Sequence, residues 1–145
     1  MSTVRNILAA KGNDVATIAH NKTAFEAAQI MHESHIGSVL VMRDGEIAGI
    51  FTERDLMNRI VAEQRDARKT QVVDVMTERI ACCTPETTLD ACRSAMTRNR
   101  MRHLPVLDTD GKLIGIISSG DIMARELKDT AETLQYLHDY IAGPN

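Results

Sequence analysis
An internal repeat constrains this chain more than any other feature. The run Gly49-Ile-Phe-Thr-Glu-Arg-Asp55-Leu-Met recurs 66 positions later as Gly115-Ile-Ile-Ser-Ser-Gly-Asp121-Ile-Met. Upstream, Ala27-Ala-Gln-Ile-Met31-His-Glu-Ser-His-Ile36 matches Cys92-Arg-Ser-Ala-Met96-Thr-Arg-Asn-Arg-Met101 with an offset of 65. The offset changes by one where Arg43-Asp44-Gly45 becomes Asp108-Thr109-Asp110-Gly111, in a turn, where a duplicated unit tolerates insertion. With 145 residues the chain is one ordinary domain or two very small ones. A unit of about 60 residues buries too little apolar surface to stand alone comfortably. The two copies are therefore expected to pack on each other through their sheets, with pseudo-twofold symmetry and a ligand cleft between them.

Each copy reads as strand, helix, strand, hairpin turn, strand, helix, which makes the fold class α/β (α+β). The opening strands are expected at Val15–Ala19 and Ile80–Thr84, each followed by turn residues that can start a helix. Leu89, Cys92 and Met96 then recur on one helical face, as do Ala24, Ala27, Ala28 and Met31. Ser38–Met42 pairs with Ile47–Phe51 across one Asp-Gly turn, and Leu104–Leu107 with Leu113–Ile117 across another. Closing helices start at Asp55 and Asp121. The expected division is a first repeat over 7–65, a polar connection from Ala62 to Thr70, a second repeat over 71–127, and an amphipathic tail over 128–145.

Composition excludes several function classes. A formal charge of −3 implies no polyanion partner, and 3% aromatics with no Trp leave no surface for stacking a string of bases, so no nucleic acid is expected. Three Cys, two of them adjacent, give neither a disulfide framework nor a zinc pattern, and His20, His32 and His35 lack the partners of a metal site. The apolar stretch before Gly12 is broken by Arg5, Asn6 and Lys11, and no run approaches 18 apolar residues. A reducing cytoplasmic setting with no membrane contact is the expectation. No nucleophile elbow, Walker loop or G-x-G-x-x-G is present, so no catalytic residues and no catalytic cofactor are expected.

The duplicated Gly-apolar-apolar-Ser/Thr-x-x-Asp motif, His103-Leu-Pro-Val106 and the Asp-Gly hairpins resemble cystathionine-β-synthase (CBS) domains. The resemblance runs from about Ile7 to Leu127 as one tandem pair, a Bateman module. It implies two β-α-β-β-α repeats that bind an adenine nucleotide (AMP, ATP or NAD) in their clefts, associate as a homodimer, and regulate a separate protein. A structural dimerisation module with empty clefts and a nucleotide-processing enzyme are the alternatives.

The resemblance assigns ribose contacts to Asp55 and Asp121 and phosphate contacts to Thr52 and Ser118. Chemistry agrees: a carboxylate accepts from both ribose hydroxyls, and free N–H groups at a helix start suit a phosphate. The same Ser/Thr-x-x-Asp spacing equally describes a capping box, in which both side chains satisfy the helix's own N–H groups. Arg54 supplies a forked cation in the first copy; Ser119 and Gly120 replace Glu53 and Arg54 in the second. Ser38, Arg102 and His103 precede the central strands, where family members contact ribose or phosphate, whereas Arg98 and Arg100 read as a solvated face. Ile18, Val39, Ile50, Cys83, Leu104, Pro105 and Ile116 are candidates for the adenine, with Thr17 and Cys82 presenting backbone groups to it. The Asp55 cleft is expected to prefer a ligand with more phosphates, and the Asp121 cleft a monophosphate. In the tail, Leu134, Leu137 and Ile141 share a helical face ended by Gly143-Pro144, and Tyr136 and Tyr140 are the only tyrosines; a dimer contact is expected there, a lid being the alternative.

Overall fold
The computed structural model describes residues 1–142. Helix α1 (Val4–Lys11) precedes a three-stranded sheet of β1 (Thr17–Ala19), β2 (Ser38–Arg43) and β3 (Glu46–Thr52), with α2 (Ala24–Ser34) crossing between β1 and β2. β1 runs parallel to β2, and β2 antiparallel to β3. The second copy has α4 (Leu89–Asn99), a hairpin of β4 (His103–Leu107) and β5 (Leu113–Ser118), and α5 (Ser119–Ala142). The expected opening strand at Ile80–Thr84 shrinks to a single parallel bridge, Cys83 to Val106, and Val15–Ala19 to three residues. Asp44 and Gly45 both take positive φ, the geometry that a two-residue hairpin turn requires.

The closing helices differ. In the first copy helix α3 (Glu53–Asp55) passes at once into a π-helical stretch, Leu56–Val61, where Ala62 N–H donates to Met57 O. In the second copy, the closing helix and the tail are one element: α5 runs without a break through residue 128 to Ala142. The tail's side chains from Leu134 to Ile141 are exposed and cover nothing in their own chain, so the lid alternative fails. The expected stop at Gly143-Pro144 lies outside the described residues.

The two cores do not coincide with the sequence copies. Val4, Ile7 and Leu8 of α1 are buried with Leu89, Cys92, Leu104 and Ile117 of the second copy. Val72, Val75 and Met76, at the start of the second copy, are buried with Ala27, Val39, Val41 and Phe51 of the first. Each segment is also tied by backbone hydrogen bonds: Val4 N–H to Thr87 O at 3.0 Å, Val72 N–H to Lys22 O at 2.8 Å. Both triads share i, i+3, i+4 spacing, so each presents one short apolar face, and each finds its sheet in the other half of the chain. The leading segments are thus exchanged between the copies.

The motif glycines make room for this exchange. A Cβ on Gly49 would lie 2.6 Å from the Thr77 carbonyl oxygen, and one on Gly115 2.8 Å from Leu8 Cδ2. Gly49→Ala is expected to cost about 1–3 kcal/mol in urea denaturation, because a backbone carbonyl blocks it, and Gly115→Ala less, because a Leu side chain can turn aside. Ile7→Ala is expected to cost about 2–5 kcal/mol. Its hydrogen exchange should quicken in α4, not α2; the opposite pattern would contradict the exchange.

Candidate functional site
The two Ser/Thr-x-x-Asp motifs close capping boxes. Asp55 N–H donates to Thr52 Oγ1 at 3.2 Å while Thr52 N–H donates to Asp55 Oδ2 at 3.1 Å. Asp121 N–H donates to Ser118 Oγ at 3.0 Å, and Ser118 N–H to Asp121 Oδ2 at 2.8 Å. These bonds satisfy the first orphan donors of each closing helix and hold both carboxylates at the strand-to-helix corner.

What meets the carboxylates differs. Asp55 is buried; the Thr77 hydroxyl donates to its Oδ1 at 3.1 Å, and Arg59 Nε lies 3.6 Å away. Asp121 is partly exposed and pairs with Lys11 Nζ at 2.7 Å, which also donates to Ile116 O at 3.0 Å. Partial burial pushes Asp121 up, but the Lys11 and Ser118 hydrogen bonds outweigh it and hold the carboxyl below its ordinary value. Both Thr77 and Lys11 follow an exchanged segment, so the exchange decides whether a hydroxyl or an ammonium reaches each aspartate.

A cleft of about 330 Å³ opens between the two halves. One wall is Gly37, Ile50, Thr52, Glu53, Arg54, Asp55, Met57 and Thr77; the other is the turn Asn99–His103 of the second copy. Arg100 caps α4 in the left-handed region at φ 53°, which swings the chain from helix to strand and carries its neighbours to the cleft. Arg54, Arg100 and Arg102 are exposed, and none forms an ion pair among the described residues. Three fixed cations therefore face two carboxylates, Glu53 and Asp55. Burial, then the Lys11 charge, lowers the His103 pKa against the opposing pull of Asp121 and Glu53, which leaves a neutral imidazole at pH 7.

Of the residues singled out from the sequence for the ligand, Ile50, Thr52, Arg54, Asp55, Arg102 and His103 meet in this cleft. The others do not line it. Ile18 is core and Pro105 fully buried, its carbonyl accepting from Cys83 N–H. Ser38 is buried opposite Thr52 in the β2–β3 ladder. Thr17 and Cys82 are exposed away from it. Ile116, Ser118 and Asp121 stand at the other corner with Lys11, and Ser119 N–H is spent on Arg102 O at 2.8 Å. Strand alternation could not sort these, because strands covered on both faces bury residues of either parity. Thr77, Asn99 and Met101 line the cleft without belonging to the Ser/Thr-x-x-Asp motif, and Arg100, read as solvated, faces it too; an exchanged segment brings Thr77 there and the αL cap the other three, while Lys11, equally outside the motif, is brought to Asp121 at the other corner.

Residues 4–62 and 72–128 each match the family model of the CBS domain. The mitochondrial CBS domain-containing protein CBSX3 of Arabidopsis thaliana is 33% identical over 151 aligned positions, which span 98% of this chain and 73% of that protein. A structure of a CBS-domain protein from Burkholderia ambifaria matches with a TM-score of 0.84 and 41% identity, over 88% of this chain and 96% of that one. A CBS domain protein from Pyrobaculum aerophilum, complexed with AMP, shares the fold at a TM-score of 0.72 and 19% identity, over 82% of this chain and 88% of that one. No helix among the described residues is long and apolar enough to cross a membrane.

Lys11→Met is expected to move the Asp121 titration upward in a carboxyl-carbon NMR experiment. A carboxyl held below its unfolded value stabilises the fold above that value, about 3.9, and loses this contribution as pH falls through the lowered one. The variant's stability deficit should therefore shrink on acidification. An unmoved titration would remove Lys11 as the cause.

Proposed function
The chain belongs to the CBS-domain family, as a tandem pair, and from that premise we propose that it binds an adenine nucleotide in the cleft between its halves and acts as a regulatory module on a separate protein. The observation that carries this reading is the convergence of Arg54, Arg100 and Arg102, without ion-pair partners among the described residues, on a cleft that also holds the Asp55 carboxylate and the Thr52 hydroxyl. Guanidinium groups offer forked, charge-assisted donors to phosphate oxygens, with the Thr52 hydroxyl beside them, and Asp55 supplies a carboxylate partner for ribose. With so few aromatics, the base lies against Ile50, Met57 and Met101 rather than between rings. AMP in the Pyrobaculum aerophilum relative supports the adenosine part of the reading.

Three cations favour a di- or triphosphate, such as ATP or NAD, over AMP in the Asp55 cleft. The Asp121 corner, with a single ammonium from Lys11, suits at most a monophosphate. Because the walls of the cleft come from both halves, a nucleotide that favours one relative setting of the halves shifts the population toward it, and this is the signal a partner protein reads. The module works as a homodimer: Met57 and Val61, and their counterparts Met123 and Leu127 found 66 positions later, are exposed apolar side chains on the closing helices.

Titration calorimetry and thermal unfolding with AMP, ATP and NAD test the reading. Ligand at 100 times Kd is expected to stabilise the wild type by roughly 2.7 kcal/mol. Arg54→Ala and Arg102→Ala, both at exposed positions, should each cost about 1.5–3 kcal/mol of ATP binding, with a smaller loss for AMP. A wild type that binds none of the three nucleotides would overturn the nucleotide reading.

A further inference from the structure
Helix α5 is longer than its own module uses. Its body-facing stripe holds buried Ile122, Arg125 against Ser2 at 3.1 Å, Glu126 against Arg93 at 2.9 Å, and Asp129 bonded to Ser2. The stripe ends there, and every described residue from Thr130 onward is exposed. A free helical arm of about a dozen residues is marginal in water, so its helicity calls for a partner.

The exposed side of α5 shows what partner fits. Met123, Leu127, Thr130, Leu134, Leu137 and Ile141 follow one another at steps of four, three, four, three and four, the strict 3.5-residue period of a coiled-coil seam. The five apolar members are 46% to 82% exposed. A helix that packs on a globular body shows a broader stripe at a 3.6-residue period, which α5 already has on its other side. The flanking positions are Ala124, Glu126, Ala131, Thr133, His138 and Tyr140, and the one carboxylate among them is already held by Arg93. Nothing along the seam repels an identical helix. An anionic lipid surface is disfavoured, because from Lys128 on one Lys stands against Asp129, Glu132 and Asp139.

Length selects the occupant. The seam spans Met123 to Ile141, whereas the next longest helices, α2 and α4, have 11 residues each, and the first copy's closing helix ends at Val61. Among the elements of the described residues only another α5 covers it from end to end. We propose that α5 forms a two-stranded coiled coil with the α5 of a second copy along this seam. The helices lie either side by side with like residues facing, or opposed about Glu132 with Thr130 facing Leu134. The proposal deepens the homodimer reading above by naming the helix that joins the copies, and it does not depend on the nucleotide.

Cysteine cross-linking tests it in the full chain. Thr130→Cys and Leu134→Cys, each with Cys82→Ser to remove the exposed native thiol, are oxidised separately and as a co-expressed pair; both positions are exposed, so the core is untouched. Sedimentation equilibrium of the wild type runs alongside. Side-by-side helices give disulfide-linked dimers from each variant alone, and opposed helices from the co-expressed pair only; either result supports the coiled coil. A wild type that sediments as a dimer, with no cross-link in any arm, overturns the α5 seam and leaves the copies joined elsewhere. A monomeric wild type overturns the homodimer reading and the seam together.

Discussion

The exchange of leading segments is the contact on which the rest of the structure depends. Each copy has a sheet with one uncovered apolar patch, and each opens with a short helical segment bearing three apolar residues. Neither is enough alone. Val4, Ile7 and Leu8 complete the second core and Val72, Val75 and Met76 the first, so the halves cannot come apart without opening both. The motif glycines mark the places where these segments run closest, and the groups that follow each segment, Lys11 and Thr77, are delivered to the two aspartates.

In this structure both motifs cap their closing helices, and ligand contacts by the same residues belong to the proposed function. The capping boxes satisfy the helix's own donors, and in doing so they fix where each carboxylate sits. What makes one corner a cleft and the other a salt-bridged corner lies outside the motif. At Asp55 the neighbour is a hydroxyl, the facing wall is an Arg-bearing turn, and about 330 Å³ is open. At Asp121 an ammonium from α1 already holds the carboxylate. The repeat supplies two equivalent frames, and differences at a few positions make them chemically unequal.

Much of the fold was legible in the chain itself. The hairpins followed from Asp-Gly between apolar runs, helices α2 and α4 from one-faced spacing behind Thr23 and Thr88, and both motif caps from Ser/Thr-x-x-Asp. The site was legible only in part. Thr52, Arg54 and Asp55 share one corner because three residues of helix start cannot separate them, and Arg102 and His103 adjoin a central strand. Thr77 and Lys11 were not legible, since a residue in a connecting segment is placed by whatever core that segment joins. Ile18 and Pro105 misled, because an apolar strand residue looks the same whether it lines a cleft or fills a core.

Sequence alone determined that there are two copies, what elements each contains, and which corner of each holds an aspartate. These are local properties, written in periods of two and 3.6 residues, turn chemistry and caps. Tertiary structure decided which half each leading segment completes, which copy's turn faces which aspartate, and that a closing helix and a tail are one continuous rod. Those outcomes depend on which apolar surfaces find each other across some 65 residues of chain. Spacing within a segment carries no record of that choice, because burial is not directional and rewards any partner of matching shape.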